Sequence, residues 1–185
     1  MVITTSPLVK TYTLQEFWDL PEPSDRSKLE LIKGVLYMTP PPGDLHNEAF
    51  ADLNVQLQRA IDRHEYSGKI YAPRAAIWVD DDTYLEPDLM YISDELKAEM
   101  KPQHWTRADI VVEIISPSNA NYDRKTKSDT YSAMGVREMW LVDLETKEVE
   151  VRSFESGKSA SYKNGDTLRS EVLPKIEIPV TALFS

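Results

Sequence analysis

One stretch of the sequence constrains the fold more than any other, the run ADIVVEIIS at residues 108–116. Apolar and β-branched residues dominate this run, which predicts a strand buried on both faces of a sheet. Glu113 lies in the middle of the strand. A buried carboxylate is costly unless it is paired with a cation or bound to a metal ion. Two interpretations of Glu113 follow, an ion pair in the core with Lys or Arg, or a metal ligand.

The length and the composition of the chain limit the classes of protein to which it can belong. A chain of 185 residues suits a single domain, spanning residues 1–185. Folding of a chain this long buries about 70% of its unfolded surface, so it needs no disulfide or structural metal. The sequence has no cysteine, which excludes disulfides, cysteine-based zinc sites and thiol nucleophiles. Since no membrane span or secretory signal is recognisable, we expect a cytoplasmic protein that does not enter a membrane.

The charge argues against one large class of functions. The formal net charge is −10, whereas proteins that grip a phosphate backbone usually carry a basic surface. Carboxylates that hold a divalent cation add negative charge, however, and a net charge conceals local patches. The composition therefore makes tight non-specific DNA binding less expected without excluding a nucleic-acid substrate.

Hydrophobic spacing predicts three helices. A short helix is expected from Thr13 to Leu20, where Thr13 and Glu16 form a capping box. The longest helix is expected from Leu45 to about His64, because apolar residues recur there at helical spacing. A third is expected over residues 118–134, with Asn119 or Asn121 as its N-cap.

Strands are predicted between and after these helices. They fall at residues 29–38 (two short strands), 70–79, 89–92, 110–115, 139–142, 148–154 and around 176–180. The strands at 70–79 and 89–92 are expected to form a hairpin. The order of elements predicts an α/β protein with a mixed β-sheet flanked by helices.

A second carboxylate opens one of these strands. Asp88 follows Pro87 and precedes the apolar run LMYI. Pro-Asp alone is a common turn pair, so a turn role is as well supported as a functional one. Together with Glu113 on a neighbouring strand, Asp88 could hold Mg²⁺ or Mn²⁺ and leave other positions to water and a phosphate. Such a metal polarises a phosphoryl oxygen and lowers the pKa of bound water.

Candidate lysines follow in the segment DRKTK at residues 123–127. Lys127 shares a helical face with Tyr131 and Met134, which are expected to pack inward, whereas Lys125 lies on another face. An inward Lys127 would place positive charge where a phosphoryl transition state gains negative charge. Lys127 could equally be a surface lysine whose stem covers apolar neighbours.

Several of these segments form a pattern that covers most of the chain, from about Leu14 to Val151. The pattern consists of LELIKG at 29–34, Pro40-Pro41 with His46, Pro87-Asp88, VEIISPS at 112–118, Asp123 with Lys127 and Tyr131, and GVREMWLVD at 135–143. It resembles the Uma-type restriction endonuclease family of the PD-(D/E)xK nuclease superfamily. The part from Glu113 to Asp143 is the most specific.

The resemblance implies a restriction-endonuclease-like fold with an Mg²⁺- or Mn²⁺-dependent phosphodiesterase site. The superfamily aspartate falls on Asp88 and the acidic strand residue on Glu113. The superfamily lysine would fall two residues after that acid, where this chain has Ile115. In the Uma-type family the lysine lies on the next helix, which places it on Lys127. Asp88, Glu113 and Lys127 are thus the implied catalytic residues.

Two further residues take roles from the same resemblance. The early glutamate of the family falls on Glu30, which would be an additional metal or water ligand or, equally, a strand residue paired with a cation. The family histidine falls on His46, as an accessory residue that positions a phosphate or, slightly favoured, as a helix-start residue bonded to backbone. Met139 stands where the family commonly has an aromatic residue, which implies a change of packing and not of chemistry.

Other residues near the pattern are expected to be structural. Glu138 and Asp143 are expected to serve structure or pairing at strand ends, and Tyr131 and Trp140 to form core or site wall.

Three functions are compatible with these residues. The first is an Mg²⁺-dependent endonuclease with DNA as the expected substrate, and the second is a non-catalytic binding or assembly module of the same fold. The third is a metal-dependent hydrolase of a small phosphorylated substrate, which a narrow pocket would favour. No serine-triad motif or Gly-rich phosphate loop is present. A symmetric homodimer is expected because two cuts in a duplex usually need two sites, and the apolar C-terminal segment is a candidate interface.

Overall fold

The computed structural model of the protein describes residues 10–115 and 121–184. The end of the VEIISPS signature and the predicted N-cap Asn119 lie outside these residues. The chain divides into two compact units. The first contains the residues up to Pro41 together with Val79–Leu85, and the second contains Pro42–Trp78 and the residues from Glu86 onward.

The first unit begins with helix α1, Leu14–Trp18. Its predicted capping box is confirmed, because the Glu16 N–H donates to Thr13 Oγ1 at 3.2 Å and the Thr13 N–H donates to Glu16 Oε2 at 2.9 Å. These bonds satisfy two N–H groups that the helix itself leaves without partners. The cap explains why a helix this short begins where the sequence predicts it.

An antiparallel hairpin follows in the first unit. It joins β1, Lys28–Ile32, to β2, Val35–Thr39, and β5, Thr83–Leu85, pairs with the other edge of β1. Gly34 closes the hairpin with φ +77°, and a Cβ there would lie 3.0 Å from the Thr11 Cβ. Because L-residues rarely adopt this conformation, glycine is the residue that the turn requires.

The second unit contains a six-stranded sheet with the order β10-β9-β8-β7-β6-β3. Its strands are β3, Lys69–Tyr71; β6, Leu89–Ile92; β7, Ile110–Ile115; β8, Glu138–Asp143; β9, Glu148–Ser153; and β10, Lys158–Tyr162. Strand β4, Ile77–Val79, crosses the boundary between the two units. The β7–β8 pair is parallel, whereas the other neighbouring pairs of this sheet are antiparallel, so the sheet is mixed.

Helices accompany this sheet in the second unit. They are α2, Asp44–Arg63; α3, Asp94–Glu99; a π-helical turn, Tyr122–Lys127; and α4, Ser128–Ala133. The second unit ends with β11, Thr167–Leu168; β12, Ile178–Pro179; and a 3₁₀ turn, Val180–Leu183. The prediction of an α/β protein with a mixed sheet flanked by helices is confirmed.

The sheet of the second unit has two chemically different faces. Register partners share a face, and Val112, Trp140 and Val151 form one such row across β7, β8 and β9. That row joins Leu53 and Leu57 of α2 in the main hydrophobic core. The adjacent row consists of Glu113, Leu141 and Glu150 and therefore points to the opposite face. Glu113 and Glu150 thus lie on the face opposite the Val112–Trp140–Val151 row.

The predicted pairing of residues 70–79 with 89–92 is confirmed in part. Ile70 and Tyr71 of β3 pair antiparallel with Tyr91 and Met90 of β6, whereas β4, Ile77–Val79, belongs to the other sheet. The chain between β4 and β6 contains the additional strand β5, which belongs to the other sheet. Strands of three residues are too short for a hydrophobic period to separate them from their neighbours in the sequence.

The apolar C-terminal segment, a candidate interface, packs largely into the core of its own unit. Ile176, Ile178, Val180 and Leu183 are buried and belong to the core cluster that includes α2. These four side chains have no surface for a second copy, whereas Phe184 is only half-buried, and the use of the segment as an interface stays a prediction. Within residues 10–115 and 121–184, no helix has both the length and the apolarity that a membrane crossing requires.

Candidate active site

Glu113 is held on the second face of the sheet by two buried donors. Its side chain is 2% exposed. Lys127 Nζ lies 2.9 Å from Oε2, and the Tyr131 hydroxyl donates to Oε1 at 2.6 Å. The structure therefore has the buried ion pair that the apolar strand predicts. Each carboxylate oxygen has a defined partner, so the orientation of Glu113 is fixed.

Lys127 reaches Glu113 from the helical segment that follows β7. Its side chain is 2% exposed, and its Nζ also lies 3.6 Å from Asp123 Oδ1. Lys125, two residues earlier, is exposed. The inward direction predicted for Lys127 is confirmed, and its interpretation as a surface lysine is wrong. Two carboxylates share this ammonium group, and their attraction offsets the desolvation cost of burying it.

The segment that presents Lys127 begins with a π-helical turn, Tyr122–Lys127, before it continues as α4. A helix is predicted here, but the spacing of apolar residues does not distinguish a π turn from an α-helix. π turns are rare and are frequent at functional sites. In this one, Asp123 and Lys127 are both buried. The turn therefore places an acid and a base on the side that faces Glu113.

Asp88 lies beside Glu113 on the neighbouring strand. The register Leu89↔Val112 between β6 and β7, continued by one residue, brings Asp88 opposite Glu113. Asp88 Oδ2 accepts a hydrogen bond of 2.8 Å from the backbone N–H of Ile114. The two carboxylates predicted on neighbouring strands are thus adjacent in the structure.

His46 contacts Asp88 from the first turn of α2. Its Nε2 lies 3.2 Å from Asp88 Oδ2, so the side chain bonds to a carboxylate and not to the backbone as slightly favoured from the sequence. Its Nδ1 is buried and has no hydrogen-bond partner among the residues that the structure describes. Buried polar atoms are nearly always paired, so this nitrogen is a position where a ligand atom could bind.

Glu30 belongs to the first unit. Its side chain in β1 is buried, and Lys28 Nζ lies 3.7 Å from its Oε1. This contact is the pairing with a cation that one interpretation expects. The role of Glu30 as a metal ligand stays a prediction, whereas Asp88, Glu113, Lys127 and His46 all belong to the second unit.

A divalent cation at this site would have few protein ligands. In the described part of the chain, no group of three or more His, Asp or Glu side chains forms a metal cluster. Mg²⁺ nevertheless keeps several waters and is commonly held by one or two carboxylates together with a phosphate. The hard oxygens of Asp88 and Glu113 suit Mg²⁺ or Mn²⁺ in this manner. His46 contacts Asp88 through Nε2, and its other ring nitrogen, Nδ1, is buried without a partner in the described residues.

A charge network fastens the π-helical turn to the sheet. Arg124 donates to Asp143 at 2.7 Å and to Glu150 at 2.9 Å. Arg152 donates to the Arg124 carbonyl at 2.6 Å and to Ser128 Oγ at 2.9 Å. Arg124 and Ser128, which these bonds hold, lie on either side of Lys127 in the sequence. The network was not predicted, because its partners on β8 and β9 are distant in the chain.

The pKa of Asp143 lies below its ordinary value. Burial acts to raise it, but the Thr146 N–H, the Arg124 guanidinium and the Glu145 N–H together outweigh burial by stabilising the carboxylate. A carboxyl with a depressed folded-state pKa stabilises the fold above its unfolded pKa, and this contribution is lost as the pH falls through the folded pKa.

Asp143→Asn is therefore expected to lower the free energy of unfolding at pH 7 but to have little effect once the pH is well below about 4. Urea denaturation of both proteins between pH 7 and pH 3 measures this difference. Asp129→Asn, which changes an exposed carboxylate of α4, is the control for net charge. A difference between wild type and Asp143→Asn that stays constant down to pH 3 would contradict the assignment.

The other residues expected to be structural are buried and have partners in the second unit. Glu138 is fully buried, and it accepts hydrogen bonds from Trp140 Nε1 at 2.7 Å and from the Glu171 N–H at 2.8 Å. Trp140 belongs to the core cluster, and Met139 is buried in the same strand. Tyr131 is both site wall and hydrogen-bond donor. Its hydroxyl contact was missed, although its spacing of four residues from Lys127 was the available signal.

Comparison with known proteins agrees with this fold. Among solved structures, the chain is similar to "a putative nuclease belonging to DUF820 from Anabaena variabilis ATCC 29413". The TM-score is 0.75 at 16% sequence identity, and the match covers 94% of this chain and 97% of the other. This likeness confirms the restriction-endonuclease-like fold class. No curated protein matches the sequence.

The sequence itself matches a known family over most of its length. Residues 14–181 match the family Uma2, whose description is "Putative restriction endonuclease". The matched range includes every residue assembled around Glu113, as well as Glu30. By this match the chain belongs to the Uma2 family.

Proposed function

We propose that the protein is a divalent-metal-dependent endonuclease that hydrolyses phosphodiester bonds in DNA. The observation that carries the proposal is the buried Glu113–Lys127 pair, with 2.9 Å between Oε2 and Nζ, beside Asp88 on the neighbouring strand. Strong burial of a carboxylate and an ammonium group in the same site is costly for a fold that does not use them. Membership of the Uma2 family supports the same reaction class.

Each residue has a role in this proposal. Asp88 and Glu113 would hold Mg²⁺ or Mn²⁺, and Glu30 is proposed as an additional ligand. The ion, when bound, polarises the phosphoryl oxygen and lowers the pKa of its water. Lys127 supplies a positive charge of its own to the phosphate as negative charge develops there. Water screens little of this charge, because the Lys127 side chain is 2% exposed, and its partners within the site are the carboxylates of Glu113 and Asp123.

His46 is proposed as an accessory residue. Its Nε2 is fixed by Asp88 at 3.2 Å, which leaves the buried Nδ1 as the ring atom without a partner in the described residues. A ring held by one nitrogen presents the other in a defined direction. We propose that this nitrogen binds a phosphate oxygen or a water molecule.

A non-catalytic module of the same fold is the second candidate. The net charge of −10 favours it, because a nuclease must attract a polyanion. A module would need neither the metal nor the lysine for its function.

If the protein does cut both strands of a duplex, a symmetric homodimer would supply the two sites, and we propose that assembly for the nuclease.

Asp88→Ala tests the nuclease proposal. Wild type is expected to bind Mn²⁺ in calorimetry and to nick plasmid DNA in the same buffer, and Asp88→Ala is expected to lose both. Asp129→Ala, at an exposed carboxylate, is expected to behave as wild type. Metal binding without cleavage would mean that the metal site is real and that the substrate is not plasmid DNA. Absence of metal binding by wild type would overturn the proposed catalytic site and favour the module.

A further inference from the structure

The Glu113 carboxylate has a second donor to which the proposed reaction assigns no task. The Tyr131 hydroxyl donates to Oε1 at 2.6 Å, and Tyr131 is fully buried. Lys127 bonds to the other oxygen, Oε2, at 2.9 Å. Both donors come from one helical segment, four residues apart, so a single rigid element controls the plane of the carboxylate.

The two donors differ in charge, and this difference matters for a cation. An ammonium group repels a divalent ion that approaches the same carboxylate, whereas a neutral hydroxyl does not. A carboxylate oxygen has two lone-pair positions, so Oε1 can accept from Tyr131 and still bind a cation. The hydroxyl is therefore the donor that can stay in place when the site is loaded.

We infer that Tyr131 is a positioning residue for Glu113, whose carboxylate it holds in the orientation that takes the divalent cation. This inference rests on the proposed function. Hydrogen bonds from outer residues to metal-binding side chains typically change metal affinity by about 10–100-fold. Tyr131 itself touches neither the cation nor the substrate.

A buried tyrosine also needs a partner for its hydroxyl on grounds of stability alone, so a matched control is required. Tyr91 provides it. Tyr91 lies in β6 of the same sheet, is 2% exposed, and donates its hydroxyl to the Ser67 carbonyl. Tyr91→Phe and Tyr131→Phe thus each remove one buried hydroxyl and keep the ring, but only Tyr131→Phe removes a donor from Glu113.

The experiment measures the Mn²⁺ dissociation constant by calorimetry and the Tm, for wild type, Tyr131→Phe, Tyr91→Phe and Glu113→Gln. We expect Tyr131→Phe to weaken Mn²⁺ binding by about 10-fold or more. We expect Tyr91→Phe to bind Mn²⁺ as wild type does, with a Tm decrease similar to that of Tyr131→Phe. Glu113→Gln is expected to lose most of the binding.

The outcomes separate the inference from the proposed function. If Glu113→Gln loses Mn²⁺ while Tyr131→Phe retains wild-type affinity, the positioning role is overturned and the metal site stands. Equal weakening in Tyr131→Phe and Tyr91→Phe would reduce the effect to general destabilisation and would also overturn it. If wild type binds no Mn²⁺, or Glu113→Gln binds it as wild type does, the metal site and the positioning role are overturned together.

Discussion

Lys127→Met is expected to reduce plasmid nicking by about 10²–10³-fold, the usual effect of removing one group that stabilises transition-state charge. Methionine keeps most of the buried volume and removes the charge together with the hydrogen bond to Glu113 Oε2. Mn²⁺ affinity is not expected to fall, because the substitution removes a cation that lies 2.9 Å from the Glu113 carboxylate. Initial nicking rates at saturating Mn²⁺, together with calorimetry, test both parts.

The matched control for this substitution lies two residues away. Lys125 belongs to the same π-helical turn but is exposed. Lys125→Met changes the net charge by the same amount and should nick at close to the wild-type rate. Nicking by Lys127→Met at the wild-type rate would remove Lys127 from the mechanism. Equal losses in both variants would indicate a general effect of charge on DNA binding.

The parts of the site that were predictable from the sequence have a local physical signal. Glu113 interrupts an apolar strand, so its burial and its need for a partner follow from the cost of an isolated buried charge. Lys127 was placed inward by its spacing to Tyr131, and the structure buries both residues. Asp88 was combined with Glu113 because the two lie on neighbouring predicted strands, and the resemblance to a family added its catalytic role, for which Pro-Asp alone is an ambiguous signal.

The parts that were missed depend on contacts between distant segments. Arg124 meets Glu150 across 26 positions of the chain, and no periodicity in either segment indicates this contact. His46 and Asp88 meet across 42 positions, which is why bonding to the backbone was slightly favoured for His46. The strand β5 was missed for a different reason, since three residues are too few for a hydrophobic period.

The largest expected effect on stability comes from separating Glu113 from Lys127. Glu113→Leu leaves the buried ammonium without its closest anion and the Tyr131 hydroxyl without its acceptor. Removal of one partner from a buried ion pair typically costs about 3–5 kcal/mol of unfolding free energy. Asp123, at 3.6 Å from Lys127 Nζ, remains as a partial partner, so we expect a value near the lower end, about 3 kcal/mol.

The double variant Glu113→Leu with Lys127→Met provides the decisive comparison. Replacing both members of a buried pair by apolar residues of similar size is often neutral or stabilising. We therefore expect the double variant to be clearly more stable than Glu113→Leu alone, as measured by urea denaturation. If the double variant loses as much unfolding free energy as the two single variants together, the two residues are not coupled. If the double variant is also as stable as wild type, the pair is dispensable for folding, and the chemistry proposed for this site is the best explanation of its presence.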